Sequence, residues 1–304
     1  RQYIDAVAVF EAWEEAVQEA QQVRGGMYWH AGPPSAPDAR YLVRTTPAGA
    51  ETSLGARTPE NEAIYQRFMQ RKQESAQRLA GLKAALDQHR RLNRALRVGR
   101  VEPLIVELLA RLASTQLAAH FRVVGTNALY AYEAAAGVRL DADALATRDI
   151  DLLWDTRKRI QFATQLARVD SSMLGVLKKV DSTFRIRKSQ QYTAVNKDGF
   201  EVDIIRRERA GDDPHPIKLS DADDDFWVAQ ARRANVLLDA PGFSAVIVAT
   251  NGTMARMDTV HPATFVAFKR WMADQTGREA LKRRRDALQA DAVQTLMETY
   301  LPHL

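Results

Sequence analysis

The stretch "RDIDLLWD", residues 148–155, places two acidic side chains two positions apart inside an apolar run. In a β-strand, residues i and i+2 point to the same face, so Asp149 and Asp151 share one face while Ile150 and Leu152 share the other. Two ionised carboxylates at this spacing repel each other. A divalent cation between them would relieve the repulsion, and Mg²⁺ prefers such oxygen ligands. The pair is therefore a candidate metal site, but taken alone the pattern favours an edge strand with a solvated acidic face.

A third acidic residue follows in "GFEVDIIRR", residues 199–207. Asp203 alternates with apolar residues there, so this stretch also predicts a strand with one apolar face. The residues just before it, 196–199, read Asn-Lys-Asp-Gly, which is a turn signal and predicts an antiparallel hairpin. Asp203 is then either an edge-strand residue or a third ligand beside Asp149 and Asp151.

A glycine turn precedes these strands in "VVGTNALYAYE", residues 123–133. The pattern predicts that a strand ends at Gly125 and that Thr126 and Asn127 open a helix. The N–H groups and the positive dipole end of a helix N-terminus bind phosphate, and glycine permits close approach. A helix start without any ligand has the same pattern, so the turn by itself leaves both interpretations open.

The order of these elements resembles the nucleotidyltransferase superfamily that includes DNA polymerase β. The superfamily motif corresponds to Gly125-Thr126, then Asp149-Ile150-Asp151, then Asp203, and the resemblance covers about residues 104–207. Thr126 stands where the superfamily has Ser or Gly, and the segment between Gly125 and Asp149 is longer than in many members. The stretches "GTNALYAYE", "TRDIDLL" and "HPATFVAFKRWM" look more narrowly like a bacterial family of nucleotidyltransferase-fold proteins, over nearly the whole chain.

The resemblance implies an α+β fold with a mixed or antiparallel sheet flanked by helices, a helical N-terminal region and C-terminal helices. It implies metal-dependent transfer of a nucleoside monophosphate from an NTP to a hydroxyl group, with release of pyrophosphate. Mg²⁺ or Mn²⁺ would be held by Asp149, Asp151 and Asp203, and Asp203 would assist deprotonation of the acceptor. The phosphates would be bound by the turn residues Gly125, Thr126 and Asn127.

Cations are expected to neutralise the triphosphate, and three candidates lie near the C-terminus. Lys269 is the strongest, because it lies in the largely apolar helical stretch "FVAFKRWM", where a solvated Lys is less expected. Arg278 and Lys282 follow at the start of the last predicted helix. Each of the three alone has the simpler interpretation of a solvated surface charge.

A strongly basic helix is predicted to start at Thr58-Pro59 and to end near Arg97, with Thr58 as N-cap and Pro59 at the first helical position. Residues 63–100 contain ten Arg or Lys but only two acidic residues. Four positive charges crowd into its last two turns: Arg90, Arg91, Arg94 and Arg97. Such crowding requires an anionic partner, which is RNA or an internal acidic cluster such as residues 221–225, unless the face is simply solvated.

Composition sets outer limits on these interpretations. The chain of 304 residues has a net charge of +5 and no cysteine, which excludes disulfides, thiolate zinc sites and cysteine nucleophiles. No apolar run approaches the roughly 18 residues of a membrane span, and no signal-peptide pattern occurs. We therefore expect a cytoplasmic protein without a membrane partner. The expected segments are a helical region at 1–100, a catalytic core at 101–210 and a strand with helices at 211–304 that completes the cleft.

Two functions stay open at this stage. The first is an enzyme that transfers a nucleotide to RNA, such as a tRNA end, or to a protein, in a toxin or defence role. The second is a catalytically silent nucleotide-binding or RNA-binding module on the same fold. The presence of all three carboxylates favours the enzyme.

Overall fold

A computed structural model describes residues 1–145 and 147–304. The chain forms two compact units, Arg1–Val98 and Gly99–Leu304. The segments predicted as the catalytic core and as the C-terminal region both fall within the second unit.

The first unit consists of two helices and a three-stranded antiparallel sheet. Its elements are α1 (Gln2–Gln22), β1 (Gly26–Ala31), β2 (Arg40–Thr45), β3 (Glu51–Ala56) and α2 (Pro59–Ala95). Helix α2 begins as predicted, because the Thr58 side chain accepts a hydrogen bond from the Asn61 N–H. Strand β3 lacks a buried face and therefore lacks the alternation that identifies a strand in a sequence.

The second unit is built around a mixed sheet with the strand order β4-β5-β8-β7-β6, to which β9 adds beside β8. These strands are β4 (Phe121–Val124), β5 (Asp149–Trp154), β6 (Arg185–Arg187), β7 (Gln190–Val195), β8 (Glu201–Arg207) and β9 (Ala229–Ala231). A separate antiparallel pair consists of β10 (Gly242–Val248) and β11 (Met254–Val260). Strands β5 and β8 run parallel, whereas β7 and β8 form the predicted hairpin.

Helices flank this sheet, and the α+β class predicted from the sequence is confirmed. They are α3 (Pro103–Ser114), α4 (Ala128–Ala136), α5 (Ala142–Leu145), α6 (Arg159–Val169), α7 (Met173–Lys178), α8 (Ala234–Asp239), α9 (Pro262–Ala273) and α10 (Ala280–Tyr300). Helix α3 ends at Ser114, and Gln116 two residues later adopts a left-handed conformation with φ of 59°. No helix in the described ranges is both long and apolar enough to cross a membrane.

Burial on the central strands follows the predicted alternation. Ile150 and Leu152 on β5, and Val202 and Ile204 on β8, are fully buried in the core. The acidic positions of both strands therefore lie on the opposite face. Asp203 is also the register partner of Asp151, so the fold places these two carboxylates on neighbouring strands at the same level.

Candidate active site

The three predicted carboxylates line one cavity of about 720 Å³ in the second unit. The Thr193 hydroxyl donates a hydrogen bond of 2.5 Å to Asp203, and the Thr147 hydroxyl donates to Asp149. Burial raises the pKa of Asp151 to about 7, and the charges of Asp149 and Asp203 contribute to that rise. The repulsion between carboxylates that the strand pattern predicts therefore acts on Asp151.

The carboxylates have the chemistry of a magnesium site but do not form a complete ligand cage. No group of three or more His, Asp or Glu side chains in the described ranges is arranged to hold a metal. Mg²⁺ and Mn²⁺ nevertheless fit this arrangement. Both prefer carboxylate oxygens as ligands, and a nearby cation would stabilise the ionised form of the buried carboxyl group. The metal at Asp149, Asp151 and Asp203 stays a prediction.

Gly125 brings the predicted phosphate turn directly against β5. Its φ of 69° is left-handed, and residues Gly125–Asn127 form a single 3₁₀ turn that leads into α4. A Cβ at this position would lie less than 3.0 Å from Oδ2 of Asp151. The Asn127 side chain donates a hydrogen bond of 2.5 Å to the backbone carbonyl of Asp149, which fixes the turn to the strand.

Gln289 on α10 is a site residue that the sequence analysis missed. It is fully buried, and its Nε2 donates to the Thr126 hydroxyl at 3.1 Å and to the Ala144 carbonyl at 2.7 Å. The carbonyl can only accept, which fixes the amide orientation. The Thr126 hydroxyl accepts from Gln289, so its own proton is directed to another acceptor, and Thr126 lines the cavity.

The predicted cations lie on another part of the cavity wall. Lys269 is buried on α9, and its Nζ lies 2.8 Å from Oδ1 of Asp286 on α10. Arg278 shares that carboxylate through Oδ2 at 2.5 Å. Burial lowers the pKa of Lys269, while Asp286 opposes the shift. Lys282 also lines the cavity but is mostly exposed, 3.4 Å from Glu279.

Asp286 was also missed, although the spacing of α10 contains a signal for it. Asp286, Gln289, Val293 and Leu296 recur at helical spacing, and all four are buried on one face of α10. Two polar residues on an apolar stripe indicate buried partners.

An aromatic and apolar wall completes the cavity. Phe268, Trp271 and Met272 of α9 line it, and the rings of Phe268 and Trp271 lie 5.4 Å apart. Arg233 stacks over Trp271 at 5.0 Å from the ring centroid. The volume falls within the range of roughly 300–1,000 Å³ that is usual for small-molecule sites. The cavity thus combines carboxylates, cations and aromatic rings in one ligand-sized space.

The family model described as nucleotidyltransferase matches residues 104–304, which include every residue that lines this cavity. The chain belongs to the nucleotidyltransferase family. No curated protein and no solved structure matches the chain. Membership in the nucleotidyltransferase family supports nucleotidyl transfer in general, and it leaves the metal, the acceptor and the individual residue roles to be proposed.

The arginines predicted to contact RNA lie in the first unit. They are all exposed near the end of α2: Arg90, Arg91, Arg94 and Arg97. The acidic cluster predicted as their alternative partner is partly used elsewhere. Asp225 is buried and accepts hydrogen bonds from the backbone N–H groups of Met173 and Leu174, so it caps α7.

Proposed function

We propose that this nucleotidyltransferase transfers a nucleoside monophosphate from an NTP to a hydroxyl acceptor and releases pyrophosphate in a metal-dependent reaction. One observation carries the proposal: the carboxylates of β5 and β8 share a cavity with the turn at Gly125 and with the cations of α9 and α10. The order of these elements along the chain supports a place in the polymerase β-like superfamily.

One set of side chains is proposed to bind the triphosphate, and another set is proposed to hold the metal. The Thr126 hydroxyl and the N–H groups of the turn donate hydrogen bonds to phosphate oxygens. Lys269, Arg278 and Lys282 neutralise the triphosphate charge. Asp149, Asp151 and Asp203 would hold Mg²⁺ or Mn²⁺, which supplies charge stabilisation and lowers the pKa of the attacking hydroxyl.

Asp203 is the group proposed to accept the proton of the attacking hydroxyl. Burial raises the pKa of its carboxyl group, the hydrogen bond from Thr193 opposes that shift, and the charge of Asp149 adds to it. A carboxylate with a raised pKa is a better general base near neutral pH. The Thr193 hydroxyl holds the carboxylate in place for this role.

RNA is the proposed acceptor, and the exposed arginines at the end of α2 support it. A run of like charges on one helix binds the phosphate backbone without reading sequence. The proposal extends to a tRNA end, whose terminal hydroxyl would be the attacking group.

The direct test is incubation of the full chain with each labelled NTP, Mg²⁺ or Mn²⁺, and total RNA or total protein. We expect label on RNA, and loss of the label in the Asp149→Ala and Asp151→Ala variants, with both variants still folded by circular dichroism. Label on protein would replace the proposed acceptor. NTP binding without transfer to either would instead show the catalytically silent module.

A further inference from the structure

A second cavity, of about 310 Å³, lies in the second unit beside strands β6 and β7. We call it the Trp227 cavity, after a tryptophan residue that is 37% exposed. Lys178, Arg185, Lys188 and Gln191 also line it. Lys218 lies over the Trp227 ring, 5.8 Å from its centroid. An exposed aromatic ring among cations is not explained by the fold.

Strand geometry places the Trp227 cavity close to the carboxylates. Thr193 on β7 pairs with Asp203 on β8 and hydrogen-bonds to it. Gln191 lies two residues farther along β7 on the same face, which is about 7 Å away. The Trp227 N–H donates to the Gln191 carbonyl at 3.1 Å, so the segment that carries the ring runs beside this part of β7.

The alternation of the Trp227 segment indicates the same face of the sheet. Phe226 and Val228 are buried in the core, so Trp227 points the other way, as does Ala231 four residues later. Ala231 lines the cavity that contains the carboxylates. The Trp227 side chain therefore lies on the carboxylate side of the sheet, and the cavity beside it also reaches the core residues Leu174 and Ile186.

The cavity lining carries three basic side chains and three acidic ones, Asp223, Asp224 and Asp225. Among the described residues, the two cations without an ion-pair partner outnumber the one exposed acid without a partner. Arg185 and Lys188 are exposed, and neither has an ion-pair partner in the described ranges. Lys178 has only a long contact of 3.9 Å with Asp224. Asp225 is buried and accepts hydrogen bonds from the first N–H groups of α7, so Asp223 is the exposed acid that stays unpaired in the described part of the chain.

We propose that the Trp227 cavity binds a nucleotide next to the reacting end of a single-stranded nucleic-acid acceptor. The base stacks on Trp227, and Arg185 and Lys188 contact the flanking phosphates. Aromatic rings interleaved with cations bind single strands in this way, without sequence preference. The inference rests on the proposed function, because it places the acceptor hydroxyl at Asp203 and extends the strand from there over β7.

The experiment measures binding of a fluorescein-labelled riboadenylate hexamer to the full chain by anisotropy, beside binding of a fluorescent ATP analogue. Trp227→Ala is expected to weaken hexamer binding by about 5- to 150-fold, the range for loss of one stacked base. Trp227→Phe keeps a ring and most of the affinity. The exposed pair Arg185→Glu and Lys188→Glu lowers the log–log salt slope by about 0.7 for each phosphate that is no longer bound.

Matched controls are the exposed ring of Tyr300 and the exposed charges of Arg159 and Arg168, which lie outside the residues lining both cavities. Tyr300→Ala and the pair Arg159→Glu with Arg168→Glu should bind the hexamer as the wild type does. Should Trp227→Ala fail to fold, the Arg185→Glu and Lys188→Glu pair still tests the proposal, because both positions are on the surface.

Hexamer affinity that stays within about twofold of wild type in Trp227→Ala, or an unchanged salt slope in the charge-reversal pair, overturns the inference. So does wild-type protein that binds the ATP analogue but not the hexamer, and the proposed function then stands with a different acceptor. Wild-type protein that binds no NTP would instead overturn the proposed function, whatever the hexamer shows.

Discussion

The carboxylate of Asp151 occupies the space that a Cβ on Gly125 would need. The turn at Gly125 also requires a left-handed backbone, so two independent constraints select glycine at this position. The close approach lets the N–H groups of the turn and the carboxylates of β5 face one ligand. The relationship is a local one, since Gly125 directly follows β4, which pairs with β5.

The Gly125→Ala substitution should therefore lower both stability and transfer. Gly137→Ala is a matched control, because Gly137 has nearly the same φ, 66°, but open space within 4 Å of the position that a Cβ would take. The left-handed backbone alone should cost about 1–2 kcal/mol at either position. Only Gly125→Ala should also displace Asp151 and abolish transfer. Urea unfolding measures the loss of stability, and the NTP assay measures the loss of transfer. Equal losses in both variants would contradict the clash between the new Cβ and the Asp151 carboxylate.

Asp151 should make stability depend on pH when no divalent cation is present. Its pKa of about 7 lies above the unfolded value, so the folded state holds the proton more tightly and loses stability as pH rises from about 4 to about 7. The loss is on the order of 4 kcal/mol. Asp151→Asn should raise the melting temperature at pH 8 and leave it nearly unchanged at pH 5. A lower melting temperature of Asp151→Asn at both pH values would indicate that the Asp151 charge supports the fold.

The sequence predicted the centre of the candidate site because strand alternation is a local property. The period of two places Asp149 with Asp151 on one face of β5, whereas the parallel pairing that brings Asp203 beside them joins distant segments and was expected only from the resemblance to nucleotidyltransferases. The partners of the site residues come from distant segments, and no local pattern connects them. Gln289 meets Thr126 across 163 positions, and this contact depends on how α10 packs against the turn. Neither segment by itself contains a sequence pattern that predicts this contact.

Asp286 should be necessary for stability, whereas Lys282 should not. Removing the charge of Asp286 leaves Lys269 and Arg278 without their shared, buried partner, and breaking such a pair costs about 3–5 kcal/mol. The Lys282 side chain is 55% exposed, and surface pairs contribute little. We expect Asp286→Asn to lower the free energy of unfolding strongly, and Lys282→Met to weaken NTP binding at unchanged stability. Urea unfolding with NTP titration separates them, and a fully stable Asp286→Asn protein would refute the buried cluster.

Gln289 should act on NTP binding through the hydroxyl of Thr126. A hydrogen bond to a charged group contributes about 1.5–3 kcal/mol, so Thr126→Val should weaken NTP binding by about tenfold or more. Gln289→Met removes the donor that orients the hydroxyl and should weaken binding less. In a double-mutant cycle, Gln289→Met should have little further effect once Thr126 is Val. Strictly additive effects on the NTP dissociation constant would show that Gln289 only ties α10 to Ala144.

The arginines at the end of α2 should bind RNA without supporting the fold. Arg90 and Arg94 are exposed, and neither has an ion-pair partner in the described ranges, so Arg90→Glu with Arg94→Glu should leave the melting temperature nearly unchanged. The same pair should weaken RNA binding and reduce the log–log salt slope by roughly 0.7–0.9 for each phosphate that is no longer bound. NTP binding should not change, because the site residues belong to the second unit.

A control reverses two exposed arginines of α6, Arg159→Glu with Arg168→Glu, which changes the net charge equally. If net charge alone governs RNA affinity, both double variants will show the same reduction in slope. If the end of α2 is the contact surface, only the Arg90 and Arg94 variant will show it. A fall in melting temperature with an unchanged salt slope would instead assign these arginines to internal acidic partners.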